Sequence, residues 1–359
     1  MEIRKVEQAY DENEYTNAVR KIEQAQSGDP DLGPLALLPG IWANLRDPQK
    51  PDEGPLNGRG WNMIALPFAT APGEGFNYRL LMNQYNERLV ITTKDTGVPN
   101  RGIQPNPPVA PTTETDQALV ALDYEQGVVH IATADFPASP LKQPVPSAIH
   151  HEPGLFLFMK NQTDGPIDIA RLGTIPHGDS ILALGDSEPP TPGAPVIPPF
   201  SGLPIGVGNP DPETSRYLAP YKHFIDNPFE NLFRPDQTHA LLVASLGALG
   251  PIKQTTTLRF STKISTAGII NIPFVVDQAN PTEMESTFWI MELEELGSDG
   301  LPRLIMMYHQ VVMLDFFKRT DNVRGLIKWP HVSINTMERI SAEPPPAPLA
   351  SAEITCDAL

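Results

Sequence analysis

At 359 residues the chain is long enough to bury a large core, in two domains or in one elaborated β domain. Its 26 Lys and Arg against 43 Asp and Glu give a net charge of −17, with no basic cluster, which argues against nucleic acid and membrane as partners. One cysteine, Cys356, excludes an intrachain disulfide and a cysteine cluster for zinc or iron–sulfur, and suits a cytoplasmic location.

Residues 1–30 are polar, with apolar residues three and four apart (Ile3, Val6, Tyr10; Tyr15, Val19, Ile22), which predicts a short helical flank. No signal-type apolar run is expected there. From Leu35 onward the pattern changes to short runs rich in Val, Ile, Phe, Tyr and Thr, broken by Gly, Pro, Asn and Asp. Such punctuation predicts an antiparallel all-β protein. The predicted strands are 61–66, 78–84, 88–93, 118–124, 128–132, 155–159, 181–184, 256–263, 286–293, 303–316 and 332–336.

The 41 prolines concentrate in three breaks, at 99–111, 137–153 and 189–220. Proline removes ladder donors, so the last break reads as a linker or a surface wrap. The apolar stretch 240–250 is too short to span a bilayer, which takes about 20 residues. The expected organisation is a flank at 1–30, a first β domain at 31–186, a Pro-rich linker or insertion at 187–255, a second β domain at 256–341 and a disordered tail at 342–359.

The two β segments repeat an order of elements. Each has a strand carrying Tyr-x-Gln (Tyr124 and Gln126; Tyr308 and Gln310), a break, and a second strand entered through histidine (His150 and His151; His331). On a β period His331 shares a face with Ser333 and Asn335, opposite Val332 and Ile334. Taken alone, that is an ordinary histidine on a solvated face. His150 and His151 read equally as a turn pair ahead of Pro153, and His177, between Pro176 and Gly178, as a loop residue. His309, among Met307, Val311 and Met313, reads as a satisfied core histidine. No phosphate-binding glycine loop, nucleophile elbow or His-Glu-x-x-His helix is present.

Three segments carry a resemblance. The run Leu38-Pro-Gly-Ile-Trp42 looks like a Gly-x-Trp barrel opening. The run His151-Glu152-Pro-Gly-Leu-Phe156 is similar to a His-x-Glu-x-Gly-aromatic strand, and Trp329-Pro-His331 with Met337 and Arg339 resembles a C-terminal Pro-His-apolar-Arg pattern. Together they resemble the nitrobindin and fatty-acid-binding-protein-like (FABP-like) group of calycin β-barrels, closest to a haem-binding peroxidase with paired FABP-like domains. The resemblance implies two FABP-like antiparallel β-barrels or half-barrels joined by Pro-rich connections. It also implies haem b, with His331 as iron ligand, His150, His177, Phe156, Phe158 and Tyr308 around the cofactor, and His151 assisted by Glu152 as the distal acid–base pair. The implied activity is peroxide-dependent oxidation of small organic donors. The alternatives are nitric oxide binding or peroxynitrite isomerisation on the same haem, and a metal-free carrier of a fatty acid or other apolar molecule. The oligomeric state is not legible.

Overall fold

The structure, a computed structural model, describes residues 25–26, 28–47, 54–104, 110–111, 113–139, 144–297 and 300–342. The expected flank over 1–30, but for its last few residues, and the expected tail past 342 lie outside the described residues.

Among the described residues thirteen strands run in chain order as β1 (Gly40–Ala43), β2 (Gly60–Pro67), β3 (Tyr78–Gln104), β4 (Thr113–Phe136), β5 (Ser147–Met159), β6 (Ile169–Ile175), β7 (Asp179–Ser187), β8 (Thr191–Pro192), β9 (Ile252–Ser261), β10 (Gly268–Asn271), β11 (Asn280–Leu296), β12 (Pro302–Lys318) and β13 (Leu326–Ser341). Short helices α1 (Ala219–Asp226) and α2 (Ala240–Gly247) lie between β8 and β9, and α3 (Pro273–Gln278) follows β10.

All thirteen belong to one antiparallel sheet that closes on itself. Hydrogen bonding runs from β3 through β4, β5, β6, β7, β9, β11 and β12 to β13. The ring returns to β3 through β1 and β2, which lie end to end, each pairing with both β3 and β13. Closure removes the exposed edges that an open sheet must protect. Both halves of the sequence contribute strands to this one ring. They meet where β7 pairs with β9 over Leu184–Ser187 and Leu258–Ser261, and again where β13 meets β1 and β2.

Alternate residues of every strand point inward, and the inward apolar residues form one core. It includes Trp42, Leu89, Ile91, Leu122, Phe156, Phe260, Phe288, Met306 and Met337. The far end is filled by a 3₁₀ turn over Pro30–Leu35, whose Leu32 and Leu35 are fully buried. A second core packs β2, β3, β11, β12 and β13 against the connection 193–250, with Trp61 against Phe229 and Phe233, and Tyr78 against Trp329. The Pro-rich stretch is therefore a surface wrap, carrying two short helices that supply apolar residues the ring alone leaves exposed.

The turn between β6 and β7 sets one end of the ring. Gly178 has φ +104, a value glycine adopts without steric cost. Its N–H donates to the Ile175 carbonyl at 2.9 Å, and its carbonyl accepts from the Ile272 N–H at 3.0 Å. That pins the turn bearing His177 to the segment following β10. β10 itself pairs with β7 over Asp179–Leu182, beyond the point where β9 leaves it.

Candidate functional site

The two Tyr-x-Gln strands face each other inside the ring. Tyr124 and Gln126 on β4, and Tyr308 and Gln310 on β12, line one small chamber of about 10 Å³ with Arg171, Leu89, Phe156 and Phe288. The spacing of two puts Tyr and Gln on the same inward face of each strand, while Glu125 and His309 between them point outward.

A buried ion pair crosses this chamber. Glu152 on β5 and Arg171 on β6 are 1% and 3% exposed, with Arg171 Nη2 2.9 Å from Glu152 Oε1. Arg171 also donates from Nη1 to Gln310 Oε1 at 2.7 Å and from Nε to the Tyr124 hydroxyl at 3.2 Å. The Tyr124 hydroxyl donates in turn to Glu152 Oε1. Burial alone would raise the Glu152 carboxyl, but Arg171 and the hydrogen bonds from His150 and Tyr124 pull it down to about 2. Glu152 is ionised at any physiological pH. The absent Cβ atoms of two glycines make the room: a Cβ on Gly173 would lie 2.2 Å from Glu152 Oε1, and one on Gly154 2.6 Å from the Tyr124 hydroxyl oxygen.

A second carboxylate, Glu87 on β3, sits beside the first. It accepts from the Tyr308 hydroxyl at 2.5 Å, Asn335 Nδ2 at 2.9 Å and Gln126 Nε2 at 2.7 Å. The Tyr85 and Tyr308 hydroxyls are 2.8 Å apart. Burial drives the Glu87 carboxyl up, against the pull of these donors. The chamber thus holds polar groups whose partners come from six strands.

Above the chamber, at the end marked by the β6–β7 turn, three histidines meet. His331 on β13 points inward with Ser333 and Asn335, as the β period predicts; that face lines the ring interior rather than bulk solvent. His150 on β5 also points inward, its Nε2 3.3 Å from Glu152 Oε2. Its ring lies 6.3 Å from that of His177. Burial, followed by the influence of His150 and His177, pushes the His331 imidazole down to about 4. Asp179 and Asn271 complete this mouth.

Of the residues nominated by sequence, His331, His150 and His177 come together at the mouth, and Glu152, Tyr308 and Phe156 lie in or around the chamber beneath. Two do not join them. His151 is one residue from His150 and therefore on the outer face, where its side chain is 51% exposed and its Nε2 lies 3.1 Å from Glu125 Oε1. A distal acid–base role for His151 does not survive this placement. Phe158 lies at the opposite end, packed under Gly33 of the 3₁₀ turn, well away from the histidines. His309 points outward, stacked on Phe200 with ring centroids 3.6 Å apart. Its Nε2 has no hydrogen-bond partner among the described residues, so it is buried but not satisfied there.

Arg171, Glu87 and Asp179 escaped the sequence reading. Arg171 left one signal, a lone charge inside the otherwise apolar run 169–175, of the kind that a buried partner must compensate. Among the described residues no three His, Cys, Asp or Glu side chains already surround a common metal position.

No protein-family model matches the chain, and no curated protein does. Among solved structures it is similar to the crystal structure of Rv2717c from M. tuberculosis, at 12% identity and a TM-score of 0.34, over 88% of this chain and 99% of that one.

Proposed function

We propose that the chain binds haem b at the histidine mouth of the ring, with His331 as iron ligand, and reduces peroxide there at the expense of small organic donors. The observation that carries this reading is the meeting of three imidazoles at one end of a closed barrel, with His331 neutral at physiological pH. A neutral imidazole has a free lone pair for iron, and histidine is a common proximal ligand. The donor chemistry of the mouth therefore fits the group. The chamber beneath does not take it: about 10 Å³ is room for a single water, against roughly 300–1,000 Å³ for ordinary ligand pockets. The same shortage of space, with Arg171 and two carboxylates in the interior, disfavours a fatty-acid carrier.

Bound haem supplies the redox centre. The protein supplies proton handling. Glu152 is held ionised by Arg171 and can only accept a hydrogen bond, so His150 Nε2 carries the hydrogen facing it. That leaves Nδ1 of His150 as the basic nitrogen, suited to take a proton from peroxide and return it to the departing oxygen. Tyr124 steadies Glu152 from the other side. His150, not His151, is the acid–base residue in this scheme.

Haemin titration followed by absorption tests the reading. The expected result is a Soret band that saturates near one haem per chain, is lost in His331→Ala, and persists in His150→Gln with peroxide turnover reduced roughly 10²-fold or more. His151→Ala should behave as the parent. A protein that takes up no haemin sinks the proposal.

A further inference from the structure

Two buried oxygens at the mouth have no partner among the described residues. Asp179 is the first residue of β7 and 8% exposed, and its Oδ1 makes no hydrogen bond. Asn271 is the last residue of β10 and pairs directly with Asp179 across the ladder. Its Oδ1 is likewise buried and unpartnered. Directly opposed residues of an antiparallel pair share a face, with Cβ atoms about 5 Å apart.

The orientation of the Asn271 amide is not arbitrary. Its Nδ2 donates to Asn280 Oδ1 and to the Pro281 carbonyl, both at 2.8 Å. Flipping the amide would put an oxygen against two acceptors, so Oδ1 is the atom left without a partner. Two adjacent acceptors cannot satisfy each other. Each buried, unsatisfied oxygen costs about 1–3 kcal/mol, and such a pair calls for something that attracts both.

Imidazoles are close by. His177 precedes Asp179 by two residues on the turn pinned to Ile272; burial raises the Asp179 carboxyl, against the opposing pull of His177 and His150. Carboxylate, amide oxygen and imidazole together are a donor set of mixed hardness, which suits divalent first-row ions such as Zn²⁺, Mn²⁺ or Fe²⁺ rather than soft thiolate-seeking ones. We propose that Asp179 Oδ1 and Asn271 Oδ1, with the imidazole of His177, bind a divalent first-row transition ion at the mouth of the ring. His177 sits on an exposed turn and reaches the ion by rotating its side chain, while the two oxygens are held in place by the β7–β10 ladder. The site is separate from His331, and its occupancy does not depend on haem.

Calorimetric titration of the haem-free protein with Zn²⁺ and with Mn²⁺ tests this. The expected result is one ion per chain. Asp179→Asn, which preserves shape, and His177→Gln, which removes the imidazole, should each weaken binding about tenfold or more. His331→Ala should leave it unchanged. No saturable binding of either ion, or equal affinity in Asp179→Asn and parent, overturns the proposal and leaves a water as the occupant. Binding lost only in His331→Ala would place the ion on the proposed haem ligand and overturn it as well. Haemin uptake is read separately, so either proposal can fail without the other.

Discussion

Replacing Glu152 by Gln leaves the Arg171 guanidinium buried without its counter-charge. Breaking a buried pair from one side costs about 3–5 kcal/mol, so Glu152→Gln should lower the unfolding free energy by that amount in a urea titration. The double change Glu152→Leu with Arg171→Met removes both charges and should cost clearly less than the sum of the two single changes. An additive result would mean that the pair does not act as a unit. His309 offers a test in pH. Burial, and then the neighbouring His239, press its imidazole from 6.5 down to about 3. Folding therefore favours the neutral form, and the stability it contributes is complete above pH 6.5. As pH falls from 6.5 toward 3 the unfolded chain takes up a proton that the folded one refuses, at a loss of up to about 1.4 kcal/mol per pH unit. His309→Phe keeps a ring to stack on Phe200 and removes the titration. The difference in urea midpoint between pH 7.5 and pH 5 should shrink in that variant; an unchanged difference would assign acid sensitivity to other groups.

At the scale of elements, closure of the ring depends on a glycine at the β7–β9 seam. A Cβ on Gly185 would lie 1.7 Å from the Arg259 carbonyl oxygen, and backbone there cannot yield without parting the strands. Gly185→Ala should cost about 3 kcal/mol. Gly127→Ala on β4, where nothing lies within 4 Å, should stay within about 0.5 kcal/mol; equal effects in a thermal melt would mean the seam is not tight. Many of the strands were legible, because runs rich in apolar and β-branched residues bounded by Gly, Pro, Asn and Asp mark β2, β9, β11, β12 and β13. The runs 78–84 and 88–93 are one continuous β3 with a register shift between Gln84 and Tyr85. Ordinary alternation along β3 puts Tyr78, Leu80 and Met82 in the outer core and Leu89 and Ile91, of opposite parity, in the inner one, while the extra residue at the shift lies on β4, where Gln84 faces Ala132 and Tyr85 faces His130. β6 was missed because Arg171 and Gly173 interrupt its apolar run, and the partner that makes Arg171 tolerable comes from another strand. The histidines show the same limit. His331 faced the side its period indicated, but neighbouring His150 and His151 could be assigned to inside and outside only once the register of β5 against β4 was known.

For the molecule as a whole, the repeat of Tyr-x-Gln and histidine strands suggested paired β units, and the ring gives that repeat a different meaning. Its two copies supply opposite walls of one chamber, so Tyr124 with Gln126 and Tyr308 with Gln310 lie near each other while 184 positions apart in sequence. A strand severed from this ring would lose hydrogen bonds on both sides and expose the inner core, as would either half expressed alone. The first half would present β7 and the end-to-end pair β1 and β2 as unpaired edges, and the second would present β9 and β13, each lined on one face by buried apolar side chains. Such edges pair with whatever strand is available, including other copies. Two consequences separate one ring from two independent barrels. Thermal unfolding of the whole chain should be a single transition whose calorimetric and van't Hoff enthalpies agree, because the halves share every layer of the core. Residues 31–186 and 187–341 produced separately should each be insoluble or unfolded, and mixing them in denaturant followed by dilution should recover native near-ultraviolet circular dichroism. Two resolved transitions, with either half folding alone to a monomer, would show that each half carries its own core and that the seams of β7 with β9 and of β13 with β1 and β2 are only contacts between finished domains.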